Sequence, residues 1–178
     1  SFEAATGKPG KVLELTVGDD GLPVSWSARH RRAAAIVPAG DELEVQFIDA
    51  DAGKTIGRHA VNQNGGIPTV RFAAGNRDRA AIITQAGVFV VNPLNARLVR
   101  SFTPANAENG VRGDISPDGR LVALGTNPLS VWEVATGKKR LTVEGVPSCE
   151  QIVFSADGRF LASWTSAGNV AVVDLRTG

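Results

Sequence analysis

Any acid–base, nucleophilic or metal chemistry in this chain would have to come from two histidines, one cysteine and a scatter of carboxylates. His30 and His59 have no cysteine or carboxylate at metal-ligand spacing on one element, so no zinc centre is expected. Asp19-Asp20-Gly21 has the start of a calcium loop without its spaced oxygens or terminal glutamate, and reads as a turn. No serine stands in a Gly-x-Ser-x-Gly setting, no glycine-rich phosphate loop precedes a helix, and there is no tyrosine. Ser116 and Ser155 read as turn residues. Catalytic residues, metal ligands and cofactors are therefore not expected. Arg29-His30-Arg31-Arg32 reads as an exposed turn, with an anion patch as the functional alternative.

The remaining chemistry is recognition. Trp164 is the candidate anchor, because tryptophan dominates binding hot spots. The bland alternative is that it fills space beside a central channel. Asp19, Asp20, Asp41, Glu42, Glu108 and Glu150 are the candidate acids around it. Trp26 and Trp132 fall mid-strand and are expected in the core.

These residues sit on a repeat. Ser116-Pro117-Asp118-Gly119-Arg120 leads to Trp132-Glu133 and Thr136-Gly137, and Ser155-Ala156-Asp157-Gly158-Arg159 leads to Val173-Asp174 and Thr177-Gly178. Weaker copies end at Gly53 and Ala96, and the chain opens on a leftover ending, Phe2 to Gly7. The steps from Gly7 are 46, 43, 41 and 41 residues. A period of about 40–45 residues made of short strands predicts propeller blades of four strands. Proline presets the first turn position and glycine accepts the positive φ that closes a hairpin. Leu121-Val122-Ala123-Leu124 is continuously apolar, as in a strand covered on both faces. The pattern predicts strands at Val24–Ser27, Ala33–Val37, Leu43–Asp49 and Thr55–His59, then Thr69–Phe72, Ala80–Thr84, Val88–Asn92 and Leu98–Phe102. It continues with Val111–Ser116, Leu121–Leu124, Leu129–Val134 and Lys139–Val143, then Gln151–Phe154, Phe160–Trp164 and Asn169–Leu175. An outer strand at Val12–Val17 precedes them, and no segment keeps a helical period.

The Ser-Pro-Asp-Gly-Arg turn and the Trp132-to-Gly137 ending resemble the WD-repeat β-propeller family in its divergent bacterial form, over essentially the whole chain. The resemblance implies an all-β propeller of four-stranded antiparallel blades, four of them in residues 1–178. Counted with each outer strand before its triplet, the blades run approximately 11–53, 54–96, 97–137 and 138–178. It also implies a non-catalytic scaffold for protein–protein interaction that binds through loops at one end. In that family an inner-strand Ser, a Gly-His pair and a turn Asp commonly link to the strand Trp. Here only Trp132 holds the Trp position, Gly-His is missing from every blade, and blades two to four lack the Asp between second and third strands. Apolar packing is therefore expected to hold the blades.

Four blades leave two open ends, which a repeat array cannot bury alone. The chain reads as a half-propeller completed by more blades of a longer parent or by a second copy, with a closed four-bladed ring as the remaining option. Net charge is +1, from 19 basic and 18 acidic residues, which gives no case for nucleic acid. No apolar run approaches the ~20 residues of a membrane helix. The loops 18–23, 62–68, 104–110 and 145–150 share one end and hold acids but no Lys or Arg. That end is expected to attract a basic protein partner. The competing reading is a propeller enzyme, or a small-ligand or metal binder, using the central channel. The apolar inner-strand residues Val24, Val70, Ile115 and Val153 argue against it.

Overall fold

The computed structural model describes residues 24–61, 67–75, 78–104, 112–146, 149–165 and 168–176. The strand expected at Val12–Val17 lies outside them. Fifteen strands and no helix occupy the described residues: β1 Val24–Ser27, β2 Arg32–Ala39, β3 Glu42–Asp49, β4 Lys54–Val61, β5 Thr69–Phe72, β6 Ala80–Thr84, β7 Gly87–Val91 and β8 Leu98–Phe102. The rest are β9 Gly113–Ile115, β10 Leu121–Leu124, β11 Leu129–Glu133, β12 Lys138–Val143, β13 Gln151–Phe154, β14 Phe160–Trp164 and β15 Val170–Asp174.

They form four antiparallel meanders, β1–β4, β5–β8, β9–β12 and β13–β15, each ordered as in the sequence. Each complete sheet joins one triplet to the outer strand that follows it.

Local chemistry explains where strands stop. In the third sheet the Ser116 hydroxyl donates to Asp118 Oδ1 (2.7 Å) and accepts from the Leu121 amide (2.9 Å). The Gly119 amide closes the turn on the Ser116 carbonyl (2.8 Å), at a φ of 68°. Ser155, Asp157 and Gly158 repeat this network in the fourth sheet. The residue that ends each of the first three repeats is also left-handed, Gly53 at φ 65°, Ala96 at 54° and Gly137 at 68°. Glycine takes that conformation without a Cβ clash, so Ala96 bears a steric cost its counterparts avoid. Register shifts at Phe47/Ile48, Val90/Val91 and Val131/Trp132 put a bulge at the same place in three sheets, where the third strand meets the outer one.

The sheets stack face to face, with their first strands side by side: β1 on β5, β5 on β9 and β9 on β13. Ala34, Ile36, Val45 and Phe47 of the first sheet pack with Val70, Ala80, Ile82 and Val91 of the second. Ile83, Val88 and Val90 meet Ile115, Val122 and Leu124 at the next joint. Ala123, Leu129 and Val131 meet Ile152, Phe154 and Leu161 at the third. All five residues of β6 are buried, the continuous run expected of a strand covered on both sides. Hydrogen bonds cross the joints too. The Ser25 hydroxyl donates to the Val70 carbonyl (2.6 Å), and the Gly75 amide to the Pro117 carbonyl (2.6 Å).

Trp132 behaves as a core residue, half-buried and stacked on Phe102 with ring centroids 5.4 Å apart. Its indole N–H donates to Ser130 Oγ (2.9 Å). Trp26 does not, and the expectation of a core position is corrected: it is 56% exposed. It points away from the second sheet, to the side where a preceding sheet would lie. Val153, expected on an inner wall, is exposed on the far side of the fourth sheet for the matching reason.

Candidate interaction surface

The starts of the first strands and the end of β14 enclose a shallow cleft of about 270 Å³, lined by Arg71, Arg112, Glu150, Gln151 and Trp164 among others. β14 and β13 pair Trp164 with Gln151, and the Glu150 amide donates to the Trp164 carbonyl (2.8 Å). Two residues singled out from sequence, Trp164 and Glu150, are thus held together by main-chain bonding. In the third sheet the position equivalent to Trp164 is Gly125, where an added Cβ would lie 2.5 Å from Cys149 Sγ. A neighbouring segment fills that space in the third sheet. In the fourth sheet the Trp164 ring stands in the open, 45% exposed.

The other acids are placed differently. Asp41 and Glu42 lie exposed beside the β2–β3 turn at Gly40 and do not line the cleft. Asp19, Asp20 and Glu108 lie outside the described residues.

Sequence reasoning missed Arg71, Arg112 and Asp114, whose signal was polar residues inside otherwise apolar first strands. Arg71 and Arg112 border the cleft together with Glu150, so cationic and acidic side chains share it. Asp114 accepts a hydrogen bond from the Phe154 amide (2.9 Å), tying the third sheet to the fourth. Burial pushes its carboxyl above the usual value, opposed by the Phe154 and Ile115 amides and by the Arg71 charge.

The expectation that His30 belongs to an exposed charged turn is also corrected. His30 is buried, with Nδ1 2.8 Å from Ser27 Oγ and Nε2 3.0 Å from Asp78 Oδ1. Serine, histidine and aspartate stand in the order of a nucleophilic triad, yet Ser27 is only 6% exposed and its oxygen also accepts from the His30 amide. A substrate carbonyl has no access to it. The network instead staples the β1–β2 turn to the second sheet. His59 packs on Phe89 with ring centroids 4.9 Å apart, and burial lowers its affinity for a proton. Among the described residues no group of three His, Cys, Asp or Glu side chains is placed to hold a metal ion.

No protein-family model matches the chain. A 92-residue stretch is 30% identical to the protein Groucho of Drosophila melanogaster, a WD-repeat protein, and covers 48% of this chain but 13% of Groucho. A chain in the crystal structure of the mitotic checkpoint complex superposes with a TM-score of 0.67 at 13% identity. That match covers 87% of this chain and 48% of the solved one. This chain therefore spans about half of that propeller chain and a small part of Groucho. Repeat, sheets and both likenesses agree: the chain resembles WD-repeat proteins and has a WD-repeat-like β-propeller fold.

Proposed function

We propose that the chain is a non-catalytic scaffold for protein interaction that binds a basic partner, of the divergent bacterial kind its turns suggest, through the loops at one end of its blades. The observation that carries this reading is that Trp164 and Glu150, both exposed, are joined by a main-chain hydrogen bond and line one cleft. An aromatic surface beside an acid suits a lysine or arginine side chain, whose stem packs while its head pairs. Asp41 and Glu42, exposed beside the turn at Gly40, add acidic side chains to the proposed surface, and Asp19, Asp20 and Glu108 complete the set expected from the sequence. Arg112 borders the same cleft, which favours a partner carrying a carboxylate next to its basic residues. The two open faces are sealed by other blades, either a second copy or further repeats of a longer chain. Ser27 and His30 are buried in the network that ends on Asp78, which offers no reachable nucleophile and supports the non-enzymatic reading.

An array of lysine- and arginine-rich peptides tests this. Peptides are expected to bind at low salt, to weaken toward physiological salt, and to be lost with Trp164→Ala or Glu150→Gln. Binding that ignores both salt and these substitutions would refute it.

A further inference from the structure

Position by position, the fourth sheet exposes what the third sheet buries. Ala123 pairs with Val131 and Ala162 pairs with Val172, so Leu129 and Val131 correspond to Val170 and Val172. Leu129 and Val131 are covered, in one cluster with Ile152 and Phe154 of β13. Val170 and Val172 are 68% and 66% exposed. Trp164 and Val153 continue the same uncovered face, and β15 has no strand on its outer side among the described residues.

The first sheet shows the opposite half of this joint. Phe154 precedes Ser155 at the turn, as Trp26 precedes Ser27, so Val24 and Trp26 stand where β13 has Ile152 and Phe154. Ile152 and Phe154 are buried against the third sheet, while Val24 is 54% exposed and Trp26 exposed with it. Among the described residues no sheet covers Val170 and Val172 at one end of the arc or Val24 and Trp26 at the other, although Ala33, Ala35 and Ile48 on the face of Val24 and Trp26 are buried.

We propose that the first sheet of a second copy of this chain docks on the fourth sheet, head to tail, and that two copies close a ring of eight sheets. Val24 and Trp26 then cover Ala162, Val170 and Val172 as Ile152 and Phe154 cover Ala123, Leu129 and Val131. The joint continues an interface built three times within the chain, and a twofold pairing satisfies both open faces at once. The proposal rests on the reading that blades seal the open faces, and it shares only Trp164, at the rim of the uncovered face, with the loop surface.

Light scattering after gel filtration of the 178-residue chain, over a dilution series, tests it. The wild type is expected at twice 18.6 kDa. Val172→Glu and Trp26→Arg, both at exposed positions, are each expected at the single-copy mass with an unchanged circular dichroism spectrum. Mixing the two variants restores the double mass, because one joint is then wild type and the other sets acid against base. Should either variant lose its strand spectrum, Val170→Glu and Val24→Arg take their places in the same scheme. A wild type of single-copy mass at every concentration, larger open-ended multiples, or a mixture that stays single would each overturn the proposal. A single-copy result leaves peptide binding at the loops to be judged by its own assay.

Discussion

Val131 and Val172 occupy the same place in successive sheets, one covered and one bare, and truncating each to alanine isolates what a neighbouring sheet contributes. Val131 is 1% exposed and sits in the joint between third and fourth sheets. Val131→Ala removes two methyl groups from that joint, about 1.6 kcal/mol at ~0.8 kcal/mol per buried carbon. The cavity left behind raises the expected cost to about 2–3 kcal/mol. Val172 keeps most of its surface in water, and Val172→Ala leaves no cavity, so about 0.5 kcal/mol or less is expected in a single copy. Urea unfolding followed by tryptophan fluorescence, at the lowest usable protein concentration, measures both. The midpoint should fall for Val131→Ala with an unchanged slope and barely move for Val172→Ala. Equal costs at high dilution, or a Val131→Ala midpoint indistinguishable from wild type, would show that the third and fourth sheets are not packed as described.

His30→Ala leaves the Ser27 hydroxyl buried without its imidazole partner and frees the β1–β2 turn from Asp78, so a loss of about 1–3 kcal/mol is expected in the same unfolding assay. Ala96→Gly relieves a left-handed alanine and should stabilise the second sheet by up to about 1 kcal/mol, read as a raised thermal midpoint. Two carboxylates give opposite pH dependence. Arg159, bonded to Asp174 at 2.6 Å, holds that carboxyl below its ordinary 3.8, so its contribution is complete above 3.8 and is lost as pH falls through the lowered value. Burial holds Asp114 above 3.8, so its cost is absent below 3.8 and complete once pH passes the raised value. Asp174→Asn should therefore flatten the acid limb of a stability–pH curve, whereas Asp114→Asn should raise stability at neutral pH and converge with wild type in acid.

Turn grammar made much of the fold legible. Thr69–Phe72, Ala80–Thr84, Leu121–Leu124 and Phe160–Trp164 have the bounds that the turns and apolar runs predict, because each is fixed by residues adjacent in sequence. β2 and β4 run longer than expected, Arg32–Ala39 and Lys54–Val61, since pairing with β3 extends them past the apolar run. What depends on distant partners was not legible. The imidazole of His30 finds Asp78 forty-eight residues away, and nothing in Arg29-His30-Arg31-Arg32 reveals it. The Ser27-x-x-His30 spacing was the available hint. Trp26 looked like core because alternation in a strand says which face a residue occupies but not whether another sheet covers that face. The same gap made Trp164 readable as a candidate and Arg112 invisible beside it. Their meeting is set by how the third and fourth sheets stack.

The stacking itself is most directly tested by methyl-resolved NOE spectra of selectively labelled protein. A Cβ placed on Gly113 would lie 2.7 Å from Ile83 Cδ1 and 3.0 Å from Leu124 Cδ2, which puts those two methyls, forty-one residues apart, within NOE range of each other across the joint between second and third sheets. A strong Ile83–Leu124 methyl cross-peak is predicted. Its absence, with both methyls assigned and the strands intact, would contradict the face-to-face arrangement from which the interaction surface and the open ends follow.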